Sequence, residues 1–162
     1  MSNAILFRMA AGIPGTVSRP SFSAIEGQPF DPTTPCPGYG IPIKLVNGKV
    51  QPISTAADIV YGFLVRPYPT TGADASDPIG TAVPPTSGMA SVARVGYLTV
   101  VSNAGAAAQG GAVYVRYASG TAGTPIGGVE ADAVASTTMA IPGAQFMSGA
   151  DANGNVEISF GV

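Results

Sequence analysis

The chain has 162 residues, a length that suits one domain with an extended arm and allows a core without disulfide staples. Only 10% of the residues are charged, against roughly 25% in an ordinary soluble domain, and the net charge is −2 with no histidine and one cysteine. This composition excludes an intrachain disulfide framework, a cysteine-built metal cluster and a basic face for nucleic acid, and it leaves a chain expected to hide much of its surface against copies of itself or a larger partner.

The first stretch, "MSNAILFRMAAGIPG", carries an apolar patch from Ala4 to Phe7 that Arg8 interrupts. That patch is too short for a secretory leader, and nowhere do about 20 apolar residues run together as a membrane span requires. The expectation is a protein made in the cytoplasm and independent of membranes. Residues 1–42 read as an arm, because prolines at 14, 20, 29, 32, 35, 37 and 42 prevent a helix or a central strand from running through them. Phe7, Phe22, Ile25, Phe30 and Tyr39 are too many apolar anchors for a solvated tail. The arm is expected to lie along a surface, either of its own domain or of a neighbour.

Residues 43–162 read as one β-domain. In "IPIKLVNGKVQPI", Asn47-Gly48 marks a tight hairpin, since both turn residues must accept φ > 0. "DIVYGFLVRPY" (58–68) is a β-rich apolar run ended by prolines, and 70–90 is a turn-rich loop containing Asp74 and Asp77. "SVARVGYLTVV" (91–101) and "GAVYVRYA" (111–118) alternate as strands do. The best helix candidate is "GVEADAVAS" (128–136), whose apolar stripe is thin. "MAIPGAQFMS" (139–148) and "NVEISFGV" (155–162) form a closing hairpin around "GADANG", with Val156, Ile158 and Phe160 facing one way and Glu157, Ser159 and Gly161 the other. Short strands and frequent turns predict an all-β fold, a compact antiparallel barrel or sandwich with a proline-rich N-terminal arm.

Candidate chemistry is sparse. Gly105 and Gly110 have the glycine spacing of a phosphate-binding loop, but Gly111 and Ala112 stand where Lys and Ser/Thr are needed, and a strand follows instead of a helix. Without histidine there is no Ser-His-Asp or Cys-His nucleophile, and Cys36 between two prolines has no nearby cation to activate it. The carboxylate pairs Asp74/Asp77 and Glu130/Asp132 are weighed as a glycosidase site and read more simply as solvated residues. Asp151, Asn153, Asn155 and Glu157 alternate like calcium ligands, yet Gly154 falls at the fourth position rather than the sixth, so a hairpin turn is the plainer reading. The aromatics of "VYVRY" lack the positive surroundings that base stacking needs. No cofactor and no metal are expected, and the profile is that of a structural or interaction protein rather than an enzyme.

On "ADIVYGFLVRPYP", "ARVGYLTVV", "GGAVYVRYASGTAGTPIGG" and "AQFMSGADANGNVEISFGV", residues 41–162 resemble the structural cement, or capsid decoration, proteins of tailed bacteriophages. The resemblance implies a small β-domain on the outer surface of the virion head that binds the major capsid protein. It implies a homotrimer, or in some cases a dimer, that bridges capsid subunits and braces the shell against packaged DNA. In that picture Phe7, Phe22 and Phe30 dock on the capsid or an adjacent protomer, and Arg8 and Arg19 pair with capsid carboxylates. The alternative is a sugar- or receptor-binding β-module of a phage fibre, against which the absence of Trp counts.

Overall fold

The computed structural model describes residues 12–68 and 81–161. After a single 3-10 turn at Pro20–Phe22 come nine strands: β1 (Ala24–Pro29), β2 (Pro42–Val46), β3 (Lys49–Pro52), β4 (Gly62–Val65), β5 (Met89–Val101), β6 (Ala112–Arg116), β7 (Val129–Glu130), β8 (Thr138–Phe146) and β9 (Asn155–Phe160). The described residues contain no α-helix. Every ladder between these strands is antiparallel, in the order β3-β2-β4-β5-β9-β8-β6-β7, with β1 added alongside β5. The expected all-β fold is the fold the chain adopts.

β5, 13 residues long, organises the molecule. Its first half pairs with β1 and β4, and its second half with β9. Between the halves lies Gly96 at φ +135°, where a Cβ would collide with Ser23. A side chain at position 96 would therefore block both the backbone conformation and the close passage of the arm. The sheet curls strongly on either side of this point. In the first half a parallel bridge joins Phe30, just after β1, to Val50 on β3. In the second, a parallel bridge joins Ser102, just after β5, to Val129 on β7. Each half thus brings its outermost strands back into contact and encloses a core.

The larger core holds Phe63, Leu98, Val100, Val113, Val115, Ile141, Phe146, Val156 and Ile158, with Phe160 meeting Phe63 edge to face at 5.2 Å between ring centroids. The smaller holds Phe30, Cys36, Tyr39, Ile43, Val50, Leu64 and Val92. β4 lies between them. Its four residues, Gly62 to Val65, are all buried, and successive side chains enter opposite cores: Phe63 the larger, Leu64 the smaller. This is why the run reads as continuously apolar rather than alternating, since a strand covered on both faces has no polar side. Each such side chain contributes about 1.5–3 kcal/mol by leaving water.

The hairpin at Asn47-Gly48 forms as the sequence requires, with φ +52° and +76° and Val46 opposite Lys49. The closing hairpin also forms, β8 pairing β9 with Phe146 opposite Ile158. Residues 128–136 are not helical. They supply the two-residue β7 followed by a turn, with Gly127 at φ +82° and Ser136 at φ +62° on either side. Two left-handed residues and a β bridge leave no continuous i to i−4 ladder for a helix.

Candidate functional site

The described part of the arm is stitched to the strands beneath it. Gly15 N–H donates to Thr99 O (2.8 Å), Thr99 N–H to Thr16 O (2.9 Å), and Ser18 N–H to Tyr97 O (3.1 Å). Arg66 N–H in turn donates to Gly15 O at 2.8 Å. Gly15 and Gly40 are needed for this closeness, since a Cβ on Gly40 would stand 2.7 Å from Gly15 N. Farther along, β1 runs beside β5 from Ala24 opposite Val95 to Pro29 opposite Met89.

A side-chain clasp locks the arm where it turns. Arg19 grips Glu157 of β9 with two parallel bonds, Nε to Oε1 at 3.1 Å and Nη2 to Oε2 at 2.7 Å, while Ser18 Oγ donates to Oε1 at 2.5 Å. The guanidinium lies 4.1 Å from the centre of the Tyr97 ring, adding a cation–π contact. Partial burial opposes ionisation of Glu157, but the bonds from Arg19 and Ser18 outweigh it and hold the carboxyl below its ordinary pKa. A second cluster joins β1 to its neighbours: Tyr61 Oη donates to Glu26, Gln28 Nε2 donates to Tyr61 Oη at 3.2 Å, and Arg94 covers the Tyr61 ring at 3.6 Å. Its hydrogen bond to Glu26, with burial second, raises the Tyr61 pKa.

The residues singled out from the sequence fall in different places. Phe22 projects into solvent, 69% exposed, on the 3-10 turn. Phe30 is buried in the chain's own smaller core. Arg19 is held by Glu157 of the same chain, and Phe7 and Arg8 lie outside the described residues. Glu157 and Tyr97, which complete the clasp, escape sequence reading as a pair. The available signal was alternation in β9, which places Glu157 on the face opposite Val156 and Ile158.

The remaining polar groups are occupied structurally. Asp151 accepts from Asn153 N and Asn155 N, both at 2.9 Å, and closes the β8–β9 turn, whereas Glu157 serves the clasp, so the four alternating oxygen residues do not converge on an ion. Among the described residues no group of three or more His, Cys, Asp or Glu is placed to hold a metal. Glu130 is fully buried and receives Arg116 through two bonds, Nε to Oε1 at 2.5 Å and Nη2 to Oε2 at 3.0 Å, which ties β6 to β7. Cys36 is buried, and loss of hydration pushes its thiol up to about 11, away from nucleophilic use. Asp74 and Asp77 lie outside the described residues.

What stands open is apolar surface. A groove of about 570 Å³ runs between the arm and the end of β4, lined by Ile13, Val17, Pro20, Ile25, Val65 and Tyr68 among others. Tyr68 is 98% and Ile25 49% exposed there. A smaller cleft of about 280 Å³ lies between Tyr39, Arg66 and Ile126, but its cation is engaged, Arg66 Nε donating to Pro14 O at 3.0 Å and its guanidinium covering Tyr39. Open apolar surface of this kind is suited to contact with another apolar surface.

The profile of a family described as "XM1 gp53 minor capsid protein" matches residues 1–160. No curated protein sequence matches the chain. Among solved structures, a chain from "The capsid of Myoviridae Phage XM1" shares the fold, with a TM-score of 0.71, 20% sequence identity, and 98% of this chain covering 96% of that one.

Proposed function

We propose a capsid role from one premise: the chain belongs to the XM1 gp53 minor capsid protein family. The protein is a structural component of a phage virion, and its finer role is that of a cement protein. It binds the outer surface of the head, bridges major capsid subunits and braces the shell against packaged DNA. The observation that carries this reading is the match of a capsid family over residues 1–160 to a chain whose open features are apolar surface and an arm laid over its own strands. Residues 1–42 act as the contact element on a domain of residues 43–162. Phe7, Arg8 and Phe22 are the reaching groups, Arg19 sets the path of the arm through its clasp, and Phe30 anchors the arm's base in the domain. Many such contacts repeated over a shell hold by multivalency even where each is weak. A homotrimer at threefold positions is the proposed assembly.

Co-sedimentation with shells lacking the protein tests this. Saturable binding that raises the temperature at which the shells break is expected, and Phe22→Ala should weaken it. A protein that stays in the supernatant at every concentration would refute the cement reading and shift weight to receptor or sugar binding.

A further inference from the structure

Two asparagines of the chain precede a glycine, Asn47 before Gly48 and Asn153 before Gly154. Such a pair carries its own chemistry. The backbone nitrogen of the second residue attacks the side-chain amide carbon of the first, and glycine, without a Cβ, obstructs that approach least. Both pairs sit at hairpin tips, Asn47-Gly48 between β2 and β3 and Asn153-Gly154 between β8 and β9. The fold treats them differently.

At the first tip Asn47 and Gly48 are both exposed. Among the described residues neither the Asn47 side-chain amide nor the Gly48 N–H has a hydrogen-bond partner, and a Cβ on Gly48 would meet nothing within 4 Å. At the second tip Asp151 ties the loop down. Its backbone oxygen accepts from Gly154 N–H at 3.0 Å, and its Oδ1 accepts from Asn153 N–H and Asn155 N–H, each at 2.9 Å. The attacking nitrogen there is engaged, and the neighbouring backbone confines it, since a Cβ on Gly154 would stand 3.1 Å from Ser102 O. Ring closure at Asn153 must break the bonds to both Gly154 and Asn153, and two such bonds slow it by about tenfold or more.

We propose that Asn47 is a self-modification site, the residue at which the folded chain deamidates, and that its turn protects Asn153. Gly48 N loses its proton to solvent and attacks Asn47 Cγ; the Cγ–N bond of the side-chain amide breaks, ammonia leaves, and a five-membered imide closes. Water then opens the imide at either carbonyl. Opening at Cγ returns an aspartate, a residue that tolerates the φ of +52° required here. Opening at the main-chain carbonyl gives isoaspartate, which routes the backbone through the side chain and lengthens it by one carbon. A two-residue turn matched to Val46 opposite Lys49 has no room for that carbon. The next residue, Val50, is buried in the smaller core and bridges to Phe30, so the isoaspartyl form loosens that core at its rim.

Trypsin cuts after Lys44 and Lys49 and has no site beyond Arg116, so the two amides fall in separate peptides, "LVNGK" and the piece beginning at Tyr117. The full-length protein is aged in mildly alkaline buffer and its peptides are mapped by mass spectrometry, with isoaspartate detected by protein isoaspartate methyltransferase and a labelled methyl donor. Asn47 should convert about tenfold or more faster than Asn153, with methyl label in "LVNGK", and the two rates should converge in urea, where the turns are gone. Equal native rates, or a faster Asn153, overturn the proposal; so does a gap that persists in urea, because the fold would then not be its cause. The isoaspartyl form, separated by chromatography, should melt below Asn47→Asp, which carries the same charge on an unaltered backbone. An isoaspartyl form as stable as Asn47→Asp would overturn the loosening of the smaller core.

Discussion

Glu130→Ala offers a sharp test of how the second half of the sheet is held. The Glu130 side chain is fully buried and that of Arg116 is 10% exposed, so their two bonds, at 2.5 and 3.0 Å, form in a setting with little water. Among the described residues, removing the carboxylate leaves the guanidinium with only the carbonyls of Ala118 and Ser119, each at 3.5 Å, the outer limit of a hydrogen bond. Breaking one partner of a buried pair costs about 3–5 kcal/mol. For a chain of this size that corresponds to a fall in Tm of roughly 10 °C. The paired replacement Arg116→Met/Glu130→Leu removes both charges and keeps apolar volume, so it should regain most of that loss. Urea unfolding followed by circular dichroism reads both, with unchanged m-values as the control. A Glu130→Ala loss under about 1 kcal/mol, or a double variant no more stable than the single one, would refute the assignment of the pair as a buried and desolvated tie.

Three further outcomes follow from the same fold. Gly62→Ala should be among the most damaging small substitutions, because its Cβ would stand 2.5 Å from Ala93 O and 2.7 Å from Val92 Cγ1, forcing β4 off β5; soluble yield and Tm would both fall. Cys36 should resist thiol reagents at pH 8 in the native protein and react fully in urea, since it is buried with its pKa raised to about 11; rapid native labelling would contradict its place in the core. The carboxylates Asp31, Asp58 and Glu157 are all depressed in the folded state, Asp31 to about 2 through bonds from Thr33 and then Gln51. A depressed acid stabilises above its unfolded pKa and loses that contribution as pH falls through its folded one. Stability should therefore hold at pH 5 and decline below about 4, and Asp31→Asn should flatten the part of that decline that lies above Asp31's folded value of about 2 in a pH series of thermal melts.

The elements read most surely from sequence were those whose signal is local. Asn47-Gly48 had to turn, and "NVEISF" had to alternate, because φ sign and side-chain period are properties of a few adjacent residues. The helix considered at 128–136 failed for a reason absent from that window: Glu130 belongs to Arg116, fourteen residues earlier, and the strand pairing that brings them together is long-range. The arm illustrates the same limit. Among its described residues a single 3-10 turn at Pro20–Phe22 is the helical content, in keeping with its prolines, but nothing in residues 1–42 reveals that Phe30 enters a core completed by Val50, Leu64 and Val92, or that Arg19 meets a glutamate 138 positions away. The apolar groove was equally invisible, since its lining comes from the arm, β1, β4 and β5, and only the fold assembles it.

The shared strand β5 has a mechanical meaning. A protein made of two cores joined by a linker has a weak point, where a pull on one end opens the joint before it strains either side. Here the join is the middle of a continuous strand, with β1 and β4 bonded along its first half and β9 along its second. Tension entering through the arm reaches β5 across its hydrogen bonds to that strand, and the one backbone of β5 carries it into both halves. For the molecule to yield, neighbouring ladders must slide together in shear rather than unzip one bond at a time. A load applied at the arm is thus shared between both halves of the domain.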